Sequence, residues 1–296
     1  MDNFKDLFKK ACLIQLSTSV WQCSRVLNQK VLAQKIGKDN EWLRGRKFLI
    51  NPELLGPIKT AVQQARKTVQ KYSLPFPITS IYLIPKESLS IVDERMQYFK
   101  ERFWKKTKDF ESLYGTARQE AESILGDLFN ESEYPSDVVQ KFKFDWRYFE
   151  LSTPGKSNIL SPEVYEREKQ KFTSLMEETR ELSMAALREE FADVVTNLVT
   201  RLTKDDGNPK AISNNMFNKL HEFLDDFSTR NIFNDEKLVE LTQQAKSVIS
   251  GVSPYGLKYN DLMQKKIANG MEELSQAITD AISDLPRRKL RLAANQ

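Results

Sequence analysis

The 296-residue chain carries a single histidine, His221, and two cysteines, Cys12 and Cys23. Two cysteines are too few for a disulfide framework in a chain this long. They lie eleven residues apart, whereas zinc motifs pair cysteines two to four apart. A nucleophilic thiol needs a lowered pKa and a base, and the sequence supplies neither, so Cys12 is expected to be buried on a strand. His221 stands in NKLHEFLDDF without a nearby cysteine or second histidine. It reads as a structural or surface residue, since a zinc or catalytic role needs such partners. No stretch reaches the roughly 18 apolar residues of a membrane span. The start, MDNFKDLFKK, lacks the charged-then-apolar layout of a signal peptide. Together these absences predict a cytoplasmic protein with free thiols and no membrane contact.

Glycine and proline are also scarce, at 10 and 11 residues. Repetitive β architectures are dense in turns that favour both, so the fold is expected to be mainly helical. No low-complexity tract or solenoid-length repeat is present. What the chain does have is a core: 40% apolar residues and 17 Phe, where disordered chains are poor in aromatics. Its net charge of +4 is unevenly spread. Residues 1–72 hold 14 Lys and Arg against 5 Asp and Glu, a net of +9. A basic region of this kind attracts phosphate backbones or acidic partners, or is simply a solvated surface.

Three short runs read as strands: 11–22, 78–84 and 142–152. In the first, Cys12, Ile14, Leu16, Thr18 and Val20 alternate with Leu13, Gln15, Ser17 and Ser19, the period of a half-buried strand. Residues 23–45 are polar and basic, with Gly37 and Gly45 as loop points. Asn51-Pro52-Glu53 opens a helix as N-cap, first turn and dipole partner. Leu54, Ile58, Ala61, Val62, Ala65, Val69 and Tyr72 line its face. Over 86–130, Leu89, Met96, Phe103, Phe110, Ala117 and Ile124 recur every seven residues. Val92, Phe99 and Leu113 stand between them, while Lys106, Glu120 and Asp127 interrupt the second seam. This predicts a coiled-coil-like helix of roughly 60 Å. Ser161-Pro162-Glu163 opens a second long helix, 161–202, with Phe172, Leu175, Leu182, Ala186, Phe191, Val194, Leu198 and Leu202 on its apolar side.

Asp206-Gly207-Asn208-Pro209 breaks that helix, and C-terminal helices follow within 210–285, with Asn234 as an N-cap and Gly251 as a stop. The expected fold is therefore mainly α with a small β-sheet. Residues 1–84 and 142–152 would form an α/β base. The helices 86–130 and 161–202 would form an antiparallel arm, ahead of helices 210–285 and a basic tail, 286–296.

The most suggestive motif for chemistry is Glu150-Leu151-Ser152-Thr153-Pro154-Gly155-Lys156-Ser157, which ends as a phosphate-binding loop does. Glu150 occupies the position of the first required glycine, and Pro154 removes a cradle N–H. The following helix starts too late to aim its N-terminus at a phosphate, so no nucleotide cofactor is expected. The adjacent pairs Glu177-Glu178, Glu189-Glu190 and Asp225-Asp226 diverge by about 100° on a helix and read as solvated faces. No catalytic, metal or cofactor residue is assigned. The contact candidates are Arg44, Arg46 and Lys47, then Trp104 and Lys105, and the tail residues Arg287, Arg288, Lys289 and Arg291.

Several segments in order carry a resemblance. They are Ser19-Val20-Trp21; Gly45-Arg46-Lys47-Phe48-Leu49-Ile50-Asn51-Pro52-Glu53-Leu54; Ile81-Tyr82-Leu83-Ile84-Pro85; Phe144-Asp145-Trp146-Arg147-Tyr148-Phe149; and Arg230-Asn231-Ile232-Phe233-Asn234-Asp235. Together the chain resembles a bacterial and phage family known as a domain of unknown function. Its members occur beside a MoxR-type AAA+ ATPase and a von Willebrand A-domain protein on phages and mobile elements. Pro77-Ile78-Thr79-Ser80 departs from the family's usual second strand. The resemblance implies those two partners and no catalytic residues. The expected function is a non-enzymatic adaptor. The alternative is a nucleic-acid-binding accessory protein, and the heptad pattern leaves homo-oligomerisation open.

Overall fold

A computed structural model describes residues 7–37, 42–152, 159–203 and 215–285. Its elements are β1 (Ala11–Ser19), β2 (Ser24–Val26), α1 (Gln29–Ile36), β3 (Arg46–Phe48), α2 (Gly56–Tyr72), β4 (Leu74–Pro75), β5 (Ile81–Pro85), α3 (Leu89–Leu125), β6 (Lys143–Phe149), α4 (Pro162–Leu202), α5 (Asn218–Arg230), α6 (Glu236–Ile249), α7 (Pro254–Lys258) and α8 (Asp261–Ser283). The fold is mainly helical with a small sheet, ordered β4-β5-β1-β6. β4 runs antiparallel to β5, with Leu74 opposite Leu83 and Pro75 opposite Tyr82. β2 and β3 form a separate antiparallel ribbon. The expected strands are present but shorter. β2, β3 and β4 escape sequence reading because two or three residues are too few to display a period of two.

β1 also corrects the expected alternation. Leu13 and Ile14 are both buried, while Cys12 is only half-buried. Both faces of the strand's first half are therefore covered, which a half-buried strand would not allow. Cys23, just before β2, is the fully buried cysteine.

The chain divides into two units. The first holds residues 1–14, 72–89 and 148–296; the second holds residues 15–71 and 90–147. The dividing line passes through β1 and β6. It also separates α3 from α4, which the sequence reading had joined as one arm.

In the second unit, Pro52–Leu55 forms a 3₁₀ turn ahead of α2. Asn51 caps it, its Oδ1 accepting from Glu53 N–H at 3.0 Å. The tighter winding buries Leu55 instead of Leu54, after which Ile58, Ala61, Val62, Ala65 and Val69 point inward as expected. α3 buries Val92, Met96, Phe99, Phe103, Thr107, Phe110, Tyr114, Ala117 and Ala121. The stripe moves from Lys106 to Thr107, from Leu113 to Tyr114 and from Glu120 to Ala121. Those steps average about 3.6 residues, the pitch of a straight helix rather than the 3.5 of a heptad seam. Leu113 and Ile124 are consequently exposed, at 51% and 75%. The stripe is covered by rings of its own unit. Phe103 meets Phe144 at 5.4 Å, Phe110 meets Phe142 at 5.8 Å, and Trp21 meets Tyr114 edge-on at 5.9 Å. Trp146 Nε1 donates to Asp93 Oδ1 at 2.9 Å, tying β6 to the start of α3.

In the first unit, Ser161 caps α4. The helix buries Met176, Thr179, Ser183, Leu187, Phe191, Val195, Leu198 and Leu202. Leu175, Leu182, Ala186 and Val194 of the expected face are half-buried at its flank. Phe191 stacks on Phe223 of α5 at 4.9 Å. α8 approaches α6 closely at Gly270, where a Cβ would meet Val248 at 3.2 Å. Asn234 is not the N-cap of α6. It has a positive φ of 55°, and Asp235 caps the helix instead, accepting from Leu238 N–H at 3.1 Å.

Asp235 does more than cap. Arg188 of α4 grips its carboxylate with two bonds, Nε to Oδ2 at 2.7 Å and Nη2 to Oδ1 at 2.8 Å. Arg188 Nη1 also donates to the Ala281 carbonyl near the end of α8. Asp235 N–H is held by Asn231 Oδ1 at 2.8 Å. The side chains of the pair are 7% and 1% exposed. Removing one partner of such a buried pair strands a charge and costs about 3–5 kcal/mol, whereas replacing both with apolar groups of similar volume is often neutral or stabilising. Arg188→Met is therefore expected to lower the stability of the chain by that amount, and Arg188→Met with Asp235→Leu to recover most of it. Urea denaturation followed by circular dichroism checks both.

Candidate functional site

Lys47 was expected as a contact residue, but its ammonium is committed within the protein. It lies 2.5 Å from the Glu133 carboxylate, and its side chain is only 10% exposed. It also donates to the Leu128 carbonyl. Beside it, the Tyr134 hydroxyl donates to the Leu49 carbonyl at 2.7 Å. Tyr114 donates to the Pro135 carbonyl at 3.1 Å. Arg118 pairs with Glu131 and sits 5.5 Å above the Tyr134 ring. These bonds fasten residues 128–135 to α3 on one side and to β3 and the segment after it on the other. A small cleft of about 280 Å³, lined by Gly115, Arg118, Gln119, Glu122, Phe129 and Glu131, lies alongside. Arg118, its one cation, is already paired with Glu131.

Burial, reinforced by the nearby Glu133 charge, pushes the Tyr134 hydroxyl up to about 12. Burial also raises both thiols, Cys12 further through Glu150, while Lys59 partly offsets the rise at Cys23. Raised thiols hold less of the reactive thiolate. Among the described residues no group of three His, Cys, Asp or Glu could hold a metal ion. His221 is exposed on α5, 6.2 Å from the Phe217 ring. Glu190, read as solvated, is half-exposed but holds Arg230 through two bonds, of 2.6 and 3.0 Å. Residues 153–157 of the loop-like motif lie outside the described residues, as do Arg287, Arg288, Lys289 and Arg291.

Of the remaining described candidates, Arg44, Arg46 and Lys105 face outward. In the ribbon, Val26 opposes Arg46 and Ser24 opposes Phe48, while Arg25 opposes Lys47. Side chains alternate along a strand, so the first four share one face and Lys47 turns to the other, toward Glu133. Val26 and Phe48 are 60% and 55% exposed. Arg46 Nη2 is steadied by Ser24 Oγ at 2.8 Å, and Arg44 Nη1 by Gln29 Oε1 at 3.3 Å. Trp42 is 96% exposed. Trp104 is half-buried and packs edge-on against Phe103 at 5.3 Å, so it belongs to the core's margin; Lys105 is exposed. A second exposed cluster, without a signal in the sequence, runs from α7 through the turn after it to the start of α8. Tyr255, Tyr259 and Leu262 are 72%, 70% and 81% exposed. The Tyr255 and Tyr259 rings are 5.2 Å apart, and the Lys258 ammonium lies 5.6 Å over Tyr259. No sequence signal separates such residues from core positions until the packing face is known.

Residues 8–205 match a family described as protein of unknown function (DUF3150). No curated protein and no solved structure matches the chain. Arg230–Asp235, which carried part of the resemblance, lies beyond the matched span.

Two outcomes are expected from this division of roles. Lys47→Glu places a carboxylate against Glu133 and is expected to destabilise the second unit by about 3–5 kcal/mol, while Arg46→Glu stays within about 0.5 kcal/mol. Thermal melts of the two variants check this. Tyr134 has its pKa raised on folding, so its contribution is complete below pH 10 and is lost as pH rises from 10 toward 12. Tyr134→Phe is expected to flatten that alkaline decline, as read from urea midpoints between pH 8 and 11.5.

Proposed function

The chain belongs to the family described as protein of unknown function (DUF3150), and from that premise we propose that it acts as a non-enzymatic interaction protein. The observation that carries this reading is the exposed cluster of Tyr255, Tyr259 and Leu262. Three large side chains within eight residues stand open to water at a known cost in apolar hydration. Aromatic residues are enriched at protein interfaces, and a few of them supply most of the binding energy. The ring pair and the Lys258 contact pre-organise the cluster, so less side-chain freedom is lost on docking.

The partners proposed are those the resemblance implies, a MoxR-type AAA+ ATPase and a von Willebrand A-domain protein of a phage or mobile element. The setting proposed is the cytoplasm, where Cys12 and Cys23 remain thiols. No helix among the described residues is long and apolar enough to cross a membrane.

The test is a pull-down of the tagged chain from its native host, with and without nuclease, read by mass spectrometry. The AAA+ ATPase or the von Willebrand A protein is expected in both samples. Tyr255→Ala with Tyr259→Ala is expected to reduce its recovery at least tenfold without changing the melting temperature. Recovery that depends on nucleic acid, or that survives the double substitution, would contradict the reading.

A further inference from the structure

We infer that the outer face of the β2–β3 ribbon, with Arg44 and Trp42 beside it in the chain, is a binding site for single-stranded nucleic acid. The inference stands on this ribbon and the residues beside it, and does not rest on the protein partners proposed above. Its first support is register. The pairing of Val26 with Arg46 and of Ser24 with Phe48 places an exposed ring, an exposed aliphatic side chain and a guanidinium on one surface. That surface is only two strands wide, and its opposite face is occupied by the Lys47–Glu133 pair.

The second support is the state of the two guanidiniums. Arg46 is oriented by Ser24 Oγ and Arg44 by Gln29 Oε1. Both acceptors are neutral. They fix the direction of the guanidinium without cancelling its charge, and neither arginine forms an ion pair with a carboxylate among the described residues. Lys47, Arg118, Arg188 and Arg230 are by contrast each matched by an acidic partner. Un-neutralised, pre-aimed arginines are suited to an incoming anion, and a guanidinium takes phosphate through two parallel bonds.

The third support is the company these charges keep. Phe48 is 55% and Trp42 96% exposed, flanking Arg44 and Arg46 in the chain. A ligand that satisfies both features needs a negative backbone and flat apolar faces at short repeat. A single strand has both, stacking its bases on aromatic rings while cations follow its phosphates. An acidic peptide would meet the charge but leave the rings uncovered. A duplex hides the faces of its bases. The net charge of +9 over residues 1–72 extends the same attraction around the site.

The experiment is fluorescence anisotropy of a labelled 20-nucleotide oligo(dT) with the full chain, with polyglutamate and a duplex of equal length as competitors. Binding is expected to favour the single strand at least tenfold over either competitor. With two arginines neutralising phosphates, the affinity is expected to fall about sevenfold between 50 and 200 mM salt. Arg44→Glu with Arg46→Glu is expected to weaken binding more than tenfold. Phe48→Ala, which leaves the charge unchanged, is expected to weaken it at least fivefold by removing one stacking surface. Lys265→Glu, an exposed charge in the other unit, is the control and is expected to change affinity less than twofold. Circular dichroism melts of all variants confirm that each is folded. The inference is overturned if polyglutamate or duplex competes equally, if Phe48→Ala binds as the parent does, if Lys265→Glu matches the arginine variants, or if oligo(dT) does not bind at 50 mM salt.

Discussion

The bond between Arg188 and Asp235 is the constraint on which the first unit depends. A guanidinium and a carboxylate have both been taken out of water, at a cost of several kcal/mol per ion before any attraction is counted. That cost is tolerable only because nearly every polar atom nearby is answered. Both carboxylate oxygens accept from Arg188, one of them also from the Leu238 N–H, and the remaining guanidinium nitrogen reaches the Ala281 carbonyl. One interaction thereby brings together the middle of α4, the start of α6 and the end of α8. A second arginine, Arg230 at the end of α5, is held to α4 by Glu190 and lies 5.5 Å over the Phe223 ring. The apolar contacts between these helices, such as Phe191 on Phe223, would tolerate sliding. The directional bonds choose one register.

The second unit uses the same economy on a smaller scale. Lys47, Tyr134, Tyr114 and Arg118 fasten a segment with little regular structure of its own, residues 126–142, against α3 and the ribbon. The charges of Lys47 and Arg118 are consumed in doing so. Among the described residues, the outer ribbon face and the rings of Tyr255 and Tyr259 are surfaces that this packing does not use. Lys47 and Glu190, which looked open to partners or solvent in the sequence, serve as fastenings.

Much of the framework is legible from residue order. Long apolar periodicities announced α3 and α4, and Asn51 and Ser161 marked helix starts because a cap acts on its immediate neighbours. The failures share one cause, dependence on distant partners. Whether the α3 stripe follows Lys106 or Thr107 is decided by what lies opposite. That β2 and β3 exist at all depends on residues 24–26 meeting residues 46–48. Lys47 looked like its neighbour Arg46, and only the alternation of the ribbon sends one inward and the other out. Asp235, rather than Asn234, caps α6 because Arg188, 47 residues earlier, requires its carboxylate. Three of the segments that carried the family resemblance prove to be places where such distant bonds form, through Lys47, Trp146, and Arg230 with Asp235.

The central claim is that the Arg188–Asp235 pair joins α4, α6 and α8. Hydrogen exchange read by mass spectrometry on Asp235→Asn tests it most directly, since this change removes the charge while keeping the shape. Protection is expected to fall together in the middle of α4, the first turns of α6 and the last turns of α8, three stretches remote in sequence. Loss confined to the first turn of α6 would mean that Asp235 is only a helix cap, and would contradict the account.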